Sequence, residues 1–355
     1  MPETGRNRLA RRMRRSTILM AGLIPVLLIA LAKLAAPALF VQTSGLVFDS
    51  YQRLSPRAWR DAGVRVVDID EESIRRLGQW PWPRTDLAAL TRTVSDAGAA
   101  AIAFDIVFSE ADRTAPRQLA ERASGQGATP AQLAMLRSLP DPDVRFAEAL
   151  GAAPSVLGFF LTRDRPGAAV EPKAGFAVSG SDPGASLTAY SGAILPLAPF
   201  QAAATGLGSV SMRPDADGIV RRVPLLARAN GVLVPSLAAE ALRVAQGAGG
   251  IIVRSSDASG EINAGAPEAV GLKIGEAEVP LTESGELWMH YTAPVDDRTV
   301  PAWKLLKGDL PPAELERLFA GRIVLVGAGS SKASRIPQPS SRAISSPLVQ
   351  SGRWR

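Results

Sequence analysis

One stretch constrains the fold of this chain more than any other, and it runs from Val64 to Glu110. It begins with a short apolar run, VRVVDI (64–69), which reads as a buried strand. Asp70, Glu71, Glu72 and Ser73 follow and can open a helical turn, because acids are favoured near a helix N-terminus; Gly78 ends it. Trp80-Pro81-Trp82-Pro83-Arg84 makes a rigid loop, since each proline fixes its own φ and restricts the residue before it. Thr85 or Asp86 can cap the next helix, whose apolar positions Leu87, Leu90, Val94 and Ala97 have helical spacing. Gly98 closes that helix, and Ala99 to Val107 reads as a second buried strand. Strand, helix and returning strand predict a parallel βαβ unit. The expected class is therefore α/β, with a mixed or largely parallel sheet flanked by helices.

Composition narrows the chemistry. The chain has no cysteine, which excludes disulfides, thiolate catalysis and Cys-based zinc sites. A single histidine, His290, excludes multi-histidine metal sites. The net charge of +6 comes mainly from six arginines (Arg6, Arg8, Arg11, Arg12, Arg14, Arg15) in the first fifteen residues. The rest is close to neutral, so a nucleic-acid surface is not expected.

Behind that basic block, Ser16 to Ala32 is uncharged and mostly apolar. Lys33 can snorkel, and LAAPALFV carries the apolar character on to Val41. A lipid-spanning helix needs ~20 such residues, so one transmembrane helix is expected over 16–41. By the positive-inside rule residues 1–15 stay in the cytoplasm and everything after the span lies outside. The competing reading is a cleaved signal peptide at Ala36-Pro37-Ala38, which exports the same remainder. The arginine block can also meet anionic lipid headgroups.

Further along, residues 112–145 read as an exposed, partly helical insertion with one helix over Ala131 to Leu139, followed by helix at Val144 to Leu150. Pro154 to Thr162 holds a strand, and Arg163 to Ser186 a loop rich in Gly, Pro and Ser. Gly206 to Val210 and Ile219 to Ala229 are expected to form a hairpin across the turn at Met212 to Gly218. Asn230-Gly231 is a second turn signal, and a helix opens at Pro235 and runs through Ala245. Short strands are expected near Ile251, Leu272 and Leu287 to Tyr291, and a last one at Arg322 to Gly327.

Six phrases occur in order: VVDIDEESIRRLGQWPWPR, GAAAIAFDIVFSE, GLGSVSMRPDADGIVRRVPLL, VPSLAAEALR, GELWMHYTAP and GRIVLVG. Together they closely resemble the second-type CHASE domain, the cyclase/histidine-kinase-associated sensory extracellular domain, over roughly residues 45 to 328. The resemblance implies an extracytoplasmic sensor over 42–328 of a bacterial inner-membrane receptor, single-pass in this chain. It would perceive an unknown ligand, with a homodimer as the expected assembly and no cofactor. Family receptors usually add further spans and an adenylate/guanylate cyclase, kinase or phosphatase module. Here the tail 329–355 departs from the family pattern and is Ser/Pro-rich, which suggests disorder and a product truncated or frameshifted before its transmitter. No catalytic residues are expected, so the chain is not read as an enzyme.

Asp70 and Asp105 are the leading ligand-binding candidates, each near the carboxyl end of an expected parallel strand, where open α/β sheets bind ligands. Adjacent strands would bring the two carboxylates together to hold a polar ligand, weakly a cation, or Arg84. The structural alternative is helix capping and an ion pair. Trp80, Trp82 and Arg84 could stack on a ligand and clamp an acid, or instead plug the helix against the sheet. A metal-assisted hydrolase using Asp68, Asp70 and Asp105 is the second functional reading, and an inactive gene fragment the third. Asp215-Ala216-Asp217-Gly218 looks like a calcium-loop fragment, but Arg213 and Pro224 fall where carboxylates are needed, so a turn is expected. Gly327-Ala328-Gly329 lacks the spacing of a phosphate loop, and His290 has no nucleophile motif beside it.

Overall fold

The computed structural model describes residues 23–24, 34, 37–163, 167–260, 265–292 and 295–328. It divides into two compact units. The smaller holds α1 (Pro37–Leu54) and the segment His290–Thr292. Within it, the Tyr291 N–H donates to Gln52 Oε1 at 3.1 Å and the Arg57 N–H to the Tyr291 carbonyl at 3.1 Å. Most of the expected span over 16–41, the basic tail 1–15 and all but the first residue of the tail after 327 lie outside the described residues. Among the described residues, no helix is long and apolar enough to cross a membrane.

The larger unit, from Trp59 to Met289 and from Ala293 onward, is mixed α/β. Its first half runs β1 (Val64–Asp68), α2 (Glu71–Leu77), α3 (Arg84–Asp96), β2 (Ala101–Phe104), α4 (Pro116–Gly125), α5 (Pro130–Arg137), α6 (Pro142–Gly151), β3 (Ser155–Thr162) and β4 (Gly175–Ser179). Then come β5 (Ala189–Tyr190), β6 (Gly192–Ile194), α7 (Ala198–Ala203), β7 (Gly206–Ser209), β8 (Arg222–Pro224), β9 (Leu226–Ala229), β10 (Val232–Pro235) and α8 (Leu237–Ala245). The last part holds β11 (Gly250–Ser255), β12 (Ala269–Ile274), β13 (Ala277–Pro280), β14 (Glu286–Trp288), β15 (Thr299–Pro301), α9 (Ala302–Leu306), α10 (Pro312–Phe319) and β16 (Ile323–Gly327).

The central sheet has seven strands in the order β15-β1-β16-β2-β3-β6, with β7 also on β3. All its pairs are parallel except β3 with β6. Side chains alternate across a strand, and the two faces show it. Ile102, Phe104, Val324 and Val326 enter the main core, where α3, α6, α9 and α10 supply Leu87, Leu90, Phe146, Ala302 and Phe319. Ala103, Val156, Ile323 and Leu325 face the other way, with Leu237 and Ala241 of α8. Phe104, Phe108, Phe146 and Phe200 meet edge-to-face, with centroids 5.1 to 6.2 Å apart. Such pairs contribute about 0.5–1.5 kcal/mol each beyond the area they bury.

Several expectations are corrected. The strands of the first βαβ unit are parallel, but they are not neighbours, because β16 lies between them. The second of them stops at Phe104 rather than Val107. The expected hairpin from Gly206 to Ala229 does not form: β7 pairs with β3, β8 with β14, and β9 with β10 and β5. β7 is buried at every residue, so its pairing is decided by the central sheet and not by the nearby turn. The loop expected over 163–186 contains β4. Residues 112–145 are not wholly exposed, since Asp112 and Pro142 are buried. The Asn230-Gly231 turn forms as expected, with φ of 47° and 83° joining β9 to β10.

Candidate ligand site at the carboxyl edge of the central sheet

β1 stops at Asp68, and Asp70 leaves the strand register to cap α2. Its Oδ1 accepts the Ser73 N–H at 2.7 Å. That is the capping alternative of the sequence reading, and it occupies one oxygen of the carboxylate. The spacing of parallel strands, ~4.8 Å, puts β1 and β2 roughly 10 Å apart across β16. Asp70 and Asp105 are therefore not brought together by adjacent strands.

A different pair of acids shares a level. Asp68 is in register with Gly327, and the Asp105 N–H donates to the Val326 carbonyl at 2.9 Å, so Asp105 follows at the same height. A Cβ added to Gly327 would lie 3.3 Å from the Asp105 Cβ. In-register residues of parallel strands project from the same face. The edge thus carries Asp68, Gly327 and Asp105 in a row, with the Asp105 side chain leaning over the glycine. Asp68 is buried, whereas Asp105 is exposed to solvent. The protein around Asp105 displaces enough water to push its pKa above the ordinary carboxylate range. From sequence, Gly327 was weighed only as a phosphate-loop fragment and not as a neighbour of Asp105.

The Trp-Pro loop belongs to the core side. The Trp80–Pro81 peptide bond is cis. Trp82 is 2 % exposed, donates its indole N–H to the Gly78 carbonyl at 2.9 Å and meets Trp80 edge-on at 5.4 Å. Half-buried Trp80 packs on the same core.

Arg84 is 8 % exposed. Its guanidinium lies 4.6 Å over the Phe108 ring, donates through Nη2 to the Glu110 carbonyl at 3.2 Å, and places Nε 3.6 Å from Asp143 Oδ1. Its ion-pair partner is therefore Asp143 rather than Asp70 or Asp105. Burial lowers the Arg84 pKa, and Asp143 and Asp112 oppose that shift. Burial likewise raises Asp143, against the Asp112 N–H and the Arg84 charge.

Neither Thr85 nor Asp86 caps α3, which starts directly after Pro83. Asp112 does so from a distance. Its Oδ2 accepts the Arg84 N–H at 2.6 Å, while Oδ1 accepts the Thr114 N–H at 2.7 Å and hydroxyl at 2.8 Å. The Asp112 N–H in turn donates to Asp143 Oδ2 at 3.0 Å. Sequence reasoning missed Asp112 and Asp143. The available signal was Asp141-Pro142-Asp143 ahead of a helical run, a helix start with its own carboxylates.

Asp68, Asp70 and Asp105 do not converge, and among the described residues no group of three or more His, Cys, Asp and Glu side chains is placed to hold a metal ion. The family model of the CHASE2 domain matches residues 23–351. The chain belongs to the CHASE2 domain family. CHASE2 is an extracellular, sensory, non-catalytic domain family. No curated protein and no solved structure matches the chain.

Elsewhere in this CHASE2 domain, charged side chains neutralise one another. Arg221, 3 % exposed, holds Asp215 at 2.8 Å and Asp217 at 2.6 Å. Arg222 bridges Asp215 at 2.9 Å and Glu286 at 3.1 Å, tying the β8–β14 ribbon together. The Asp215–Gly218 segment is thus the expected turn, with the Gly218 N–H on the Asp215 carbonyl at 2.8 Å. His290 is exposed, its Nε2 3.5 Å from the Ser55 carbonyl.

Proposed function

We propose that this CHASE2 domain is the extracytoplasmic, ligand-perceiving part of a bacterial transmembrane receptor, held at the inner membrane by the apolar segment 16–41. The receptor's output would be an adenylate/guanylate cyclase or a histidine kinase. The carboxyl edge of the central sheet, at Asp105 beside Gly327, receives the cue. The observation that carries this reading is Asp105 itself, a solvent-reachable carboxylate whose charge is incompletely hydrated, beside a position without a side chain. A ligand that donates hydrogen bonds or carries positive charge relieves that deficit, and charged groups kept short of water mark functional sites. Strand ends of parallel sheets are also where α/β proteins bind ligands. Binding shifts the receptor only as far as the ligand's affinities for its two states differ.

The test is a thermal-shift screen of the full-length protein against small amines and polyhydroxylated compounds, repeated on Asp105→Asn. A compound that raises the melting temperature of the parent but not of Asp105→Asn supports the site. Equal shifts in both proteins place the cue elsewhere.

A further inference from the structure

We infer that the cue received at Asp105 is an amphipathic organic amine, whose ammonium meets that carboxylate and whose apolar body lies on a shelf formed by Phe160 and Ile194. The inference rests on the ligand reading above and adds to it the class of ligand.

The sheet register puts these residues on one face. Ala103 and Val156 point towards α8, and side chains alternate along a strand, so Asp105, Gly158 and Phe160 follow on that same side. Phe104 pairs with Leu157, which sets Asp105 level with Gly158. Phe160 is paired with Ile194 across the antiparallel β3–β6 ladder. Ala193 enters the main core, so Ile194 turns the other way, beside Phe160. One strand across and two residues along, the Cα atoms of Asp105 and Phe160 lie about 8 Å apart. The position between them carries no polar side chain. Gly158 stands there, and Val210 Cγ1 lies 2.8 Å from where a Cβ on that glycine would be.

α8 covers this face nearer the amino ends of the strands. It begins at Leu237, whose backbone abuts Gly208, and Gly208 is in register with Gly158. Phe160 lies two residues past that level and is left 45 % exposed, with Ile194 49 % exposed beside it. Met212, 62 % exposed, follows Val210 along the neighbouring chain. A single exposed apolar residue is ordinary. A paired aromatic and aliphatic side chain beside a carboxylate forms a two-part surface, and exposed apolar patches with polar rims mark interaction sites.

The carboxylate decides the sign of the ligand. Among the described residues, no cation pairs with the Asp105 side chain and no donor hydrogen-bonds it, so the water it has lost is not replaced. Acids elsewhere are matched: Asp143 by Arg84, Asp182 by Arg228, Asp215 and Asp217 by Arg221. Arg163, just beyond β3, is turned onto the Tyr190 ring at 4.9 Å. An anion or a neutral hydrocarbon leaves the Asp105 charge unanswered. A polyhydroxylated compound answers it but gains nothing from Phe160 and Ile194. An ammonium on a short apolar body satisfies both.

The test is titration calorimetry of the full-length protein in detergent with ethylamine, hexylamine, 2-phenylethylamine and hexanol. Kd is expected to fall about two- to fourfold for each methylene laid on the shelf, so that hexylamine and 2-phenylethylamine bind at least about tenfold tighter than ethylamine. Hexanol, which lacks the charge, should bind at least about tenfold more weakly than hexylamine. Phe160→Ser should abolish the gain from ethylamine to hexylamine and leave ethylamine binding unchanged, and Ile194→Ser is the second variant. Asp105→Asn should weaken every amine. All the proteins share one detergent, so partition of the amines into it cancels between them. Amines that need Asp105 but bind no tighter with length, or a gain with length that survives in both serine variants, would overturn the shelf and leave the ligand reading standing. So would hexanol binding as tightly as hexylamine, or polyhydroxylated compounds binding through Asp105 where no amine does. If no compound loses affinity in Asp105→Asn, the ligand reading falls as well.

Discussion

The carboxylate of Asp112 accepts a hydrogen bond from the backbone N–H of Arg84, 28 residues earlier in the chain, at 2.6 Å. The helix it caps follows Pro83 and has no side-chain cap of its own. Replacing Asp112 by Ala leaves the Arg84 N–H and the Thr114 N–H without their partner. A lost cap costs about 1 kcal/mol, and unsatisfied buried donors cost about 1–3 kcal/mol more. Asp112→Ala is expected to lower unfolding free energy by about 2 kcal/mol or more in urea titrations. Asp112→Asn keeps an acceptor oxygen and should recover a good part of that loss.

Asp105 behaves in the opposite sense. Its pKa is raised by burial, so the folded protein binds the proton more tightly than the unfolded chain does. The stability tied to that proton is full below the unfolded carboxylate value and is lost as pH rises through the folded one. At neutral pH the ionised carboxylate opposes folding. Asp105→Asn is therefore expected to raise the melting temperature at pH 7, and the gain should shrink as pH is lowered through the carboxylate range. A drop in melting temperature at pH 7 would contradict the raised pKa.

Asp70 separates architecture from recognition. Its one hydrogen bond holds the first turn of α2. Asp70→Ala should cost about 1 kcal/mol, the usual worth of an N-cap, and leave thermal shifts by bound compounds unchanged. Loss of those shifts with an unaltered melt would return Asp70 to the binding site.

The Arg221 cluster sets the acid limit. Asp217 is held below the ordinary carboxylate range by its hydrogen bond to Arg221. Burial pushes Asp215 up, but hydrogen bonds from Arg221 and Arg222 prevail and lower it. A depressed pKa contributes stability that is present above the unfolded value and lost as pH falls through the folded one. Arg221→Met should lower the melting temperature at pH 7 and make it fall less steeply below pH ~4, the unfolded Asp value.

Much of this fold was legible locally. The runs 64–68, 155–162, 206–209 and 323–327 are apolar and bounded by breakers, and each became a strand of the central sheet. Asn230-Gly231 specified its turn because both residues tolerate positive φ. Pairing was less legible. β16 enters between β1 and β2 from more than two hundred residues away, and no periodicity encodes a partner at that distance. β4 was lost because Gly175 and Ser179 sit among prolines and glycines and its neighbour β11 comes seventy residues later. At the candidate site, Asp105 was singled out from strand-end logic, and its role in binding is a proposal. Gly327 was not weighed beside it, because its alignment with Asp68 and Asp105 depends on the distant insertion of β16.

The insertion of β16 between β1 and β2 has a consequence for biosynthesis. Both outer neighbours leave the ribosome long before the residues that fill the slot between them. Until the chain has been made through Gly327, they have no middle to close on, and their apolar faces stand unprotected. The lobe must finish from its centre, in one late step, so a nascent copy stalled before Ile323 should be prey for proteases or in need of a holding chaperone.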